Sequence, residues 1–257
     1  MRRQFILILL CQVFFLDQAR AEGATPKASW LYFSPAYDQL SLEETNSPGT
    51  RQHFANWSLK SFGLRGGTAF GPWGVEGNVG FSSFDIDSLS PQFPGKYPYR
   101  GTRFSIEAMR RLFSSREKFG WNGYAHLGFQ SYNLPIVGPE PQAPELGKVR
   151  NTGLAIGISV NSYVARNTRI VASAKWLPVF TSTHSLSSAS ADLKNGLNFE
   201  INLGAQYLLD SFWSVGLEGS VRRSKMSGTM RTLAGATSSF EASAGQSGLH
   251  AVLGYQF

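Results

Sequence analysis

Past its first residues this chain has no cysteine. The only one of its 257 residues is Cys11. Histidine is also scarce, with four in all, and charged residues make up 16%. Beyond Leu16 no apolar run approaches the roughly 20 residues that a membrane-spanning helix needs. These absences exclude several functions. A chain that loses Cys11 has neither disulfides nor thiolate chemistry. No His, Asp and Glu fall at metal-ligand spacing, so neither a metal nor another cofactor is expected. No G-x-x-x-x-G-K-[ST] loop occurs to cradle a phosphate. The net charge of +7 is spread along the chain. It forms no clustered basic stripe of the kind nucleic acid requires.

Cys11 lies in a segment with a distinct pattern. Residues 1–21 read MRRQFILILLCQVFFLDQARA. Arg2 and Arg3 form a basic start, an apolar core follows, and Ala19-Arg20-Ala21 is a small-x-small cleavage site. The segment reads as a secretory signal peptide cleaved before Glu22. Lipidation of Cys11 is disfavoured because Leu10 is bulky where such sites need a small residue. Residues 22–257 then form one exported domain, with a mild basic excess.

What that domain does have is a two-residue period. In GLNFEINLGAQYL, Leu197, Phe199, Ile201, Leu203, Ala205 and Tyr207 share one face. Asn198, Glu200, Asn202, Gly204 and Gln206 share the other. GWNGYAHLGFQSY and GLAIGISVN repeat the pattern. Successive strand residues point to opposite faces, so each segment is a ribbon with one apolar side. The pattern predicts ten strands, at about 28–40, 57–69, 74–84, 102–113, 119–131, 152–165, 169–180, 197–209, 213–226 and 248–257. The first and seventh alternate least, so eight and twelve strands are the alternatives. Short connections at 70–73, 114–118, 166–168 and 210–212 alternate with long ones at 41–56, 85–101, 132–151, 181–196 and 227–247.

Short turns at one end, long loops at the other and one apolar face match a transmembrane antiparallel up-and-down β-barrel. In lipid every backbone amide must be paired, so such a sheet has to close. Phe70, Trp73, Phe113, Phe119, Trp121, Tyr207, Phe212, Trp213, Tyr255 and Phe257 gather at the short-turn end, as an interfacial aromatic girdle does. A soluble β-sandwich is the competing reading, but it has no need of rings at one rim.

The final strand carries a resemblance. Leu249, Ala251, Leu253, Tyr255 and Phe257 alternate to a terminal aromatic residue. This resembles the C-terminal signature of Gram-negative outer-membrane β-barrel proteins, among them the small OmpA- and OmpW-like barrels. The resemblance implies residence in the outer membrane and contact with its lipid and lipopolysaccharide. It also implies assembly by periplasmic chaperones and the barrel assembly machinery. A monomer is favoured.

With the apolar faces outward, the lumen should hold Arg65, Glu76, Arg103, Glu107, Arg111, Lys175, Glu200, Glu218 and Arg222. Buried charges must be paired, so these are expected to cross-link a filled interior. A narrow pore with a charged constriction is the alternative. Arg110 should face lipid and snorkel to the interface. Lys96, Arg100, Arg223, Lys225 and Arg231 at the outer rim are candidate contacts for lipopolysaccharide phosphates.

Catalytic patterns are incomplete, and no enzyme is expected. The omptin proteases also have ten strands. Their site resembles an Asp pair facing an Asp–His pair, and Asp85 and Asp87 lack a matching Asp two residues before His184. The His-x-Ser arrangement of outer-membrane lipid A deacylases is absent at His53, His126, His184 and His250. His126 and His250 fall on the lumen face, as network members. The function expected is a structural or surface-interaction role through the outer loops, with a small pore and a rim hydrolase as alternatives.

Overall fold

A computed structural model describes residues 28–46, 50–90, 93–115, 120–138, 145–187 and 189–257. The signal segment 1–21 and Phe119 lie outside these residues. All regular structure among the described residues is β-strand: β1 (Ala28–Asn46), β2 (Thr50–Phe70), β3 (Trp73–Ser90), β4 (Phe93–Ser114), β5 (Trp121–Val137), β6 (Leu146–Ala165), β7 (Thr168–Trp176), β8 (Val179–His184), β9 (Ala189–Leu208), β10 (Trp213–Thr232) and β11 (Thr237–Gln256). Pairing runs β5-β4-β3-β2-β1-β11-β10-β9-β7-β6, and β5 pairs with β6. The sheet is therefore an antiparallel, barrel-like ring. At the junction of first and last strands, the Ser29 N–H donates to the Phe257 carbonyl at 3.1 Å and the Phe257 N–H to the Ser29 carbonyl at 3.0 Å.

The strands number eleven rather than the ten expected. The seventh segment is divided at Leu177-Pro178. β7 and β8 lie end to end along β6, with Ile156 opposite Trp176 and Gly153 opposite Val179. Proline has no N–H for the ladder, which breaks the strand there. Flanking groups keep partners: the Leu177 N–H donates to the Asn198 carbonyl at 2.9 Å and the Leu154 N–H to the Pro178 carbonyl at 3.0 Å.

The long loops are the larger correction. Most of 41–56, 85–101, 132–151, 181–196 and 227–247 is strand: the strands end at Asn46, Ser90, Val137, His184 and Thr232 and resume at Thr50, Phe93, Leu146, Ala189 and Thr237. The strands overrun because the apolar face changes sides part-way along each. On β1, Leu31, Phe33 and Tyr37 point outward, whereas Leu40 and Leu42 are buried inside. Phe81 of β3 is 45% exposed and Phe84 is fully buried. On β5, Phe129 faces out; Tyr132, Leu134 and Ile136 face in. On β10, Val221 faces out; Met226 and Met230 face in. These four strands thus carry an outward apolar belt near the short-turn end. Beyond the belt they carry an inward apolar face, with Gln39, Ser41, Glu43 and Thr45 outside on β1, as a water-soluble barrel does. Ser, Thr and charged residues at every second position made these stretches look like loops.

The short-turn end fits its sequence closely. Gly71 at φ 63° and Pro72 form the β2–β3 turn. A positive φ followed by proline is the sign pattern of a type II′ hairpin turn, and glycine takes the first position without steric cost. Tyr255 sits 4.8 Å from Trp213, 5.9 Å from Phe257 and 6.2 Å from Phe212 between ring centres, a cluster at this rim. Arg110 turns its guanidinium onto the Trp73 ring at 5.4 Å.

The change of face yields a contrast. Phe84→Ala should lower stability by about 3–5 kcal/mol, since it empties a packed site. Phe81→Ala, three residues earlier on the outer face, should cost far less. Urea unfolding of the refolded protein in detergent measures both.

Candidate functional site: the lumen

The inward positions of the belt region carry the charge. Arg103 of β4 donates to Glu200 of β9 at 3.0 Å, reaching across the ring. Arg222 of β10 donates to the same carboxylate, through Nε at 3.1 Å and also through Nη2. Its guanidinium lies over the Tyr132 ring at 5.0 Å. Asn202 Nδ2 donates to the second Glu200 oxygen at 3.1 Å. Arg65 of β2 pairs with Glu218 of β10 at 3.2 Å and covers the Tyr32 ring at 5.1 Å. Lys175 of β7, beside Glu200 in the β7–β9 ladder, holds both oxygens of Glu107 of β4 at 2.7 Å.

Seven of the nine expected lumen charges thus meet in three groups. Glu76 lines the same space and acts on Arg65 through its field. Arg111 lines it too, with no ion pair among the described residues. Two lumen charges of the belt region were not foreseen, beside Glu44 further out. Asp38 accepts from Gln246 Nε2 at 2.9 Å and lies 3.6 Å from His250. Arg169 donates to the Tyr32 hydroxyl at 2.7 Å and to Gln206. Asp38 sits where β2 bulges opposite Ala36 and Asp38, in the first segment, whose alternation is weak. Arg169 belongs to the short, divided seventh segment. The periodicity that marks a lumen face was faint at both.

His126 bridges Glu107 and Ser159: Nδ1 is 3.1 Å from the carboxylate and Nε2 is 2.7 Å from the hydroxyl. The connectivity is that of a hydrolytic triad, yet the surroundings oppose catalysis. Lys175 already neutralises the carboxylate. Ser159 pairs with Tyr124 on one side and Ser173 on the other, so nearby amides belong to the ladder. Free backbone donors for an oxyanion are what such chemistry needs. Elsewhere, His184 accepts from the Ala191 N–H at 3.0 Å. Asp85 is on the outer surface, 2.7 Å from Lys60. That bond, helped by Lys96 and Arg100, holds the Asp85 carboxyl below its usual range. These pairings do not assemble a rim protease.

Two cavities flank the charged layer. One of about 330 Å³ opens toward the short turns. One of about 80 Å³ lies on the far side. Tyr32, Arg65, Arg103, Glu200 and Glu218 line both and separate them. Above the smaller one the interior is apolar: Leu40, Leu42, Phe54, Phe84, Ile86, Tyr99, Leu134, Ile136, Val149, Met226, Met230 and Phe240 form one buried cluster. The end of β5 leans over this mouth. Val137 is fully buried, and its N–H donates to Glu44 of β1 at 3.2 Å across the ring. Glu44 lies well beyond the belt. Burial pushes its carboxyl up to about 7, offset in part by the Val137 N–H and Asn46.

The rim cations Lys96, Arg100, Arg223, Lys225 and Arg231 are all exposed on the outer face. Leu249, Ala251, Leu253 and Phe257 are exposed on the outer face of β11, and Tyr255 joins the rim cluster.

No protein-family profile matches the chain, and no curated protein matches it. Among solved structures it is similar to the outer membrane protein OprG from Pseudomonas aeruginosa, at 9% identity over 91% of this chain and 97% of that one, with a TM-score of 0.41. The transport unit of the autotransporter AIDA-I from Escherichia coli aligns at 11% identity over 94% and 95%, with a TM-score of 0.38. The Pseudomonas putida toluene transporter TodX aligns at 10% identity over 90% of each chain, with a TM-score of 0.30.

Two measurements test the lumen. Glu200→Gln leaves Arg103 and Arg222 facing each other, and should cost about 3–5 kcal/mol in urea unfolding, as breaking a buried pair does. Glu44 gives a pH signature. Its folded value of about 7 lies above the ordinary 4.5. Its contribution is therefore fully present below pH 4.5 and lost as pH rises through 7. Glu44→Gln should flatten that part of the stability–pH curve.

Proposed function

We propose that this chain is an integral outer-membrane β-barrel with a sealed lumen, acting through the part that projects beyond the bilayer. The observation that carries the reading is the change of apolar face. An outward belt suits lipid, and β-strands cross a bilayer in roughly 9–11 residues. β1 and β4 are 19 and 22 residues long, so each projects well past the belt. There the inward apolar cluster closes the interior. Such a barrel anchors a projecting β-structure, which suits surface interaction or envelope integrity. Short turns would face the periplasm. Arg100, Arg223 and Lys225 stand just beyond the belt, where they would meet lipopolysaccharide phosphates, with Lys96 and Arg231 further out. The alternating face of β11 suits recognition by the assembly machinery.

A gated small-solute channel is the second reading, and one observation favours it. Only side chains separate the two cavities, so rotamer changes at Arg103 and Glu200 would join them. The apolar seal would still have to open.

Single-channel conductance in a planar bilayer tests both. The wild type should be silent, and Glu107→Gln and Arg103→Gln should be silent or slightly leaky. Tyr132→Ser combined with Leu134→Ser and Ile136→Ser should conduct. Reproducible steps in the wild type that change in the two charge variants would overturn the sealed reading and establish the channel.

A further inference from the structure

We infer that the cavity at the short-turn end is a binding site for a small organic anion with an aromatic or other planar body. The inference stands on the lumen geometry alone and holds whether or not the barrel conducts.

Charge is the first argument. Three carboxylates line this cavity: Glu76, Glu200 and Glu218. Glu200 is bound by Arg103, Glu218 by Arg65, and Glu76 acts on Arg65. The fourth carboxylate of this region, Glu107, is held by Lys175. Arg111 and Arg169 remain, and no carboxylate among the described residues pairs with either. Arg169 is held by neutral acceptors, the Tyr32 hydroxyl and the Gln206 amide oxygen. Its Nε is buried with no hydrogen-bond partner among the described residues. Arginine is permanently charged, and its planar fork matches carboxylate and phosphate oxygens. Two such cations on one cavity create a positive field that an anion relieves.

Position is the second argument. Arg169 on β7 reaches Tyr32 on β1, so it crosses the ring rather than lying along a wall. Arg111 lies on β4, next to the Arg111–Phe113 bulge. Both line the same cavity, so an anion held in it has a cation from each strand beside it.

Shape and lining are the third. The cavity volume of about 330 Å³ is near the lower end of small-molecule sites, about 300–1,000 Å³. Trp30, Tyr124 and Tyr163 line it, giving aromatic surface beside the two cations. Rings stack on planar bodies and contribute beyond their buried area. The combination selects an anionic head and a flat body. A cation of the same shape is rejected.

The test uses the full chain refolded in a non-ionic maltoside detergent, with folding checked by heat-modifiable gel migration. Isothermal titration is run with benzoate, with inorganic phosphate, and with benzylamine as a cation of similar shape. Benzoate should bind at one saturable site, more tightly than phosphate, and benzylamine should not bind. Arg111→Gln and Arg169→Gln should each weaken benzoate by about tenfold, the scale of one charge-assisted hydrogen bond. Added salt should weaken it further. If Arg169→Gln does not fold, Arg111→Gln decides, because its side chain holds no other group among the described residues. Absence of saturable benzoate binding by the folded protein overturns the proposal. So does unchanged binding by Arg111→Gln, or equal binding of benzylamine. Phosphate binding as tight as benzoate overturns the planar-body part.

Discussion

The structure depends on pairing its last strand with its first. A sheet that closes leaves no row of bare amides, and only then can its outer face be apolar without aggregating. The register between β1 and β11 runs from Trp30 opposite Gln256 to Asn46 opposite Phe240, so closure extends along the whole strand. The lumen follows from this. Arg103 meets Glu200 and Arg65 meets Glu218 only because the ring brings β4 to β9 and β2 to β10 across a narrow interior.

Closure also explains why one chain holds two kinds of interior. Where the outer face is apolar, the inner face must take the polar residues, and long charged side chains cross-link it. Where the outer face meets water, the inner face takes the apolar residues and packs them together. The boundary falls at Tyr132, which lies under the Arg222 guanidinium and belongs to the apolar cluster above it. Like-signed neighbours sharpen the need for cross-links. Glu76 and Glu107 are directly opposite on β3 and β4, an unfavourable pairing that Lys175 and Arg65 offset.

The two interiors have different consequences. The apolar end carries a buried carboxyl, Glu44, at the point where β5 crosses the mouth. The charged end keeps space. Its carboxylates are engaged, and its surplus is cationic, because no carboxylate among the described residues pairs with Arg111 or Arg169. An apolar cluster at the far end and a cavity with surplus cations at the near end make the interior asymmetric.

How much of this was legible in the residues follows from which signals are local. A period of two is local, so strand positions, the outward faces of β9 to β11 and nearly all the lumen charges could be read directly. Asp38 and Arg169 were lost where a bulge and Pro178 disturb the period. The sequence by itself determined an all-β chain with alternating faces, its short turns and its aromatic rim. Only the tertiary structure decided which side each apolar face meets beyond the belt. The same alternation serves lipid outside or a packed core inside, and a two-residue period does not distinguish them. That choice turned the expected long loops into strands and the expected charged plug into a charged layer beneath an apolar cluster. Which charges pair was decided there too, because partners such as Arg103 and Glu200 lie 97 positions apart and meet only when the ring closes.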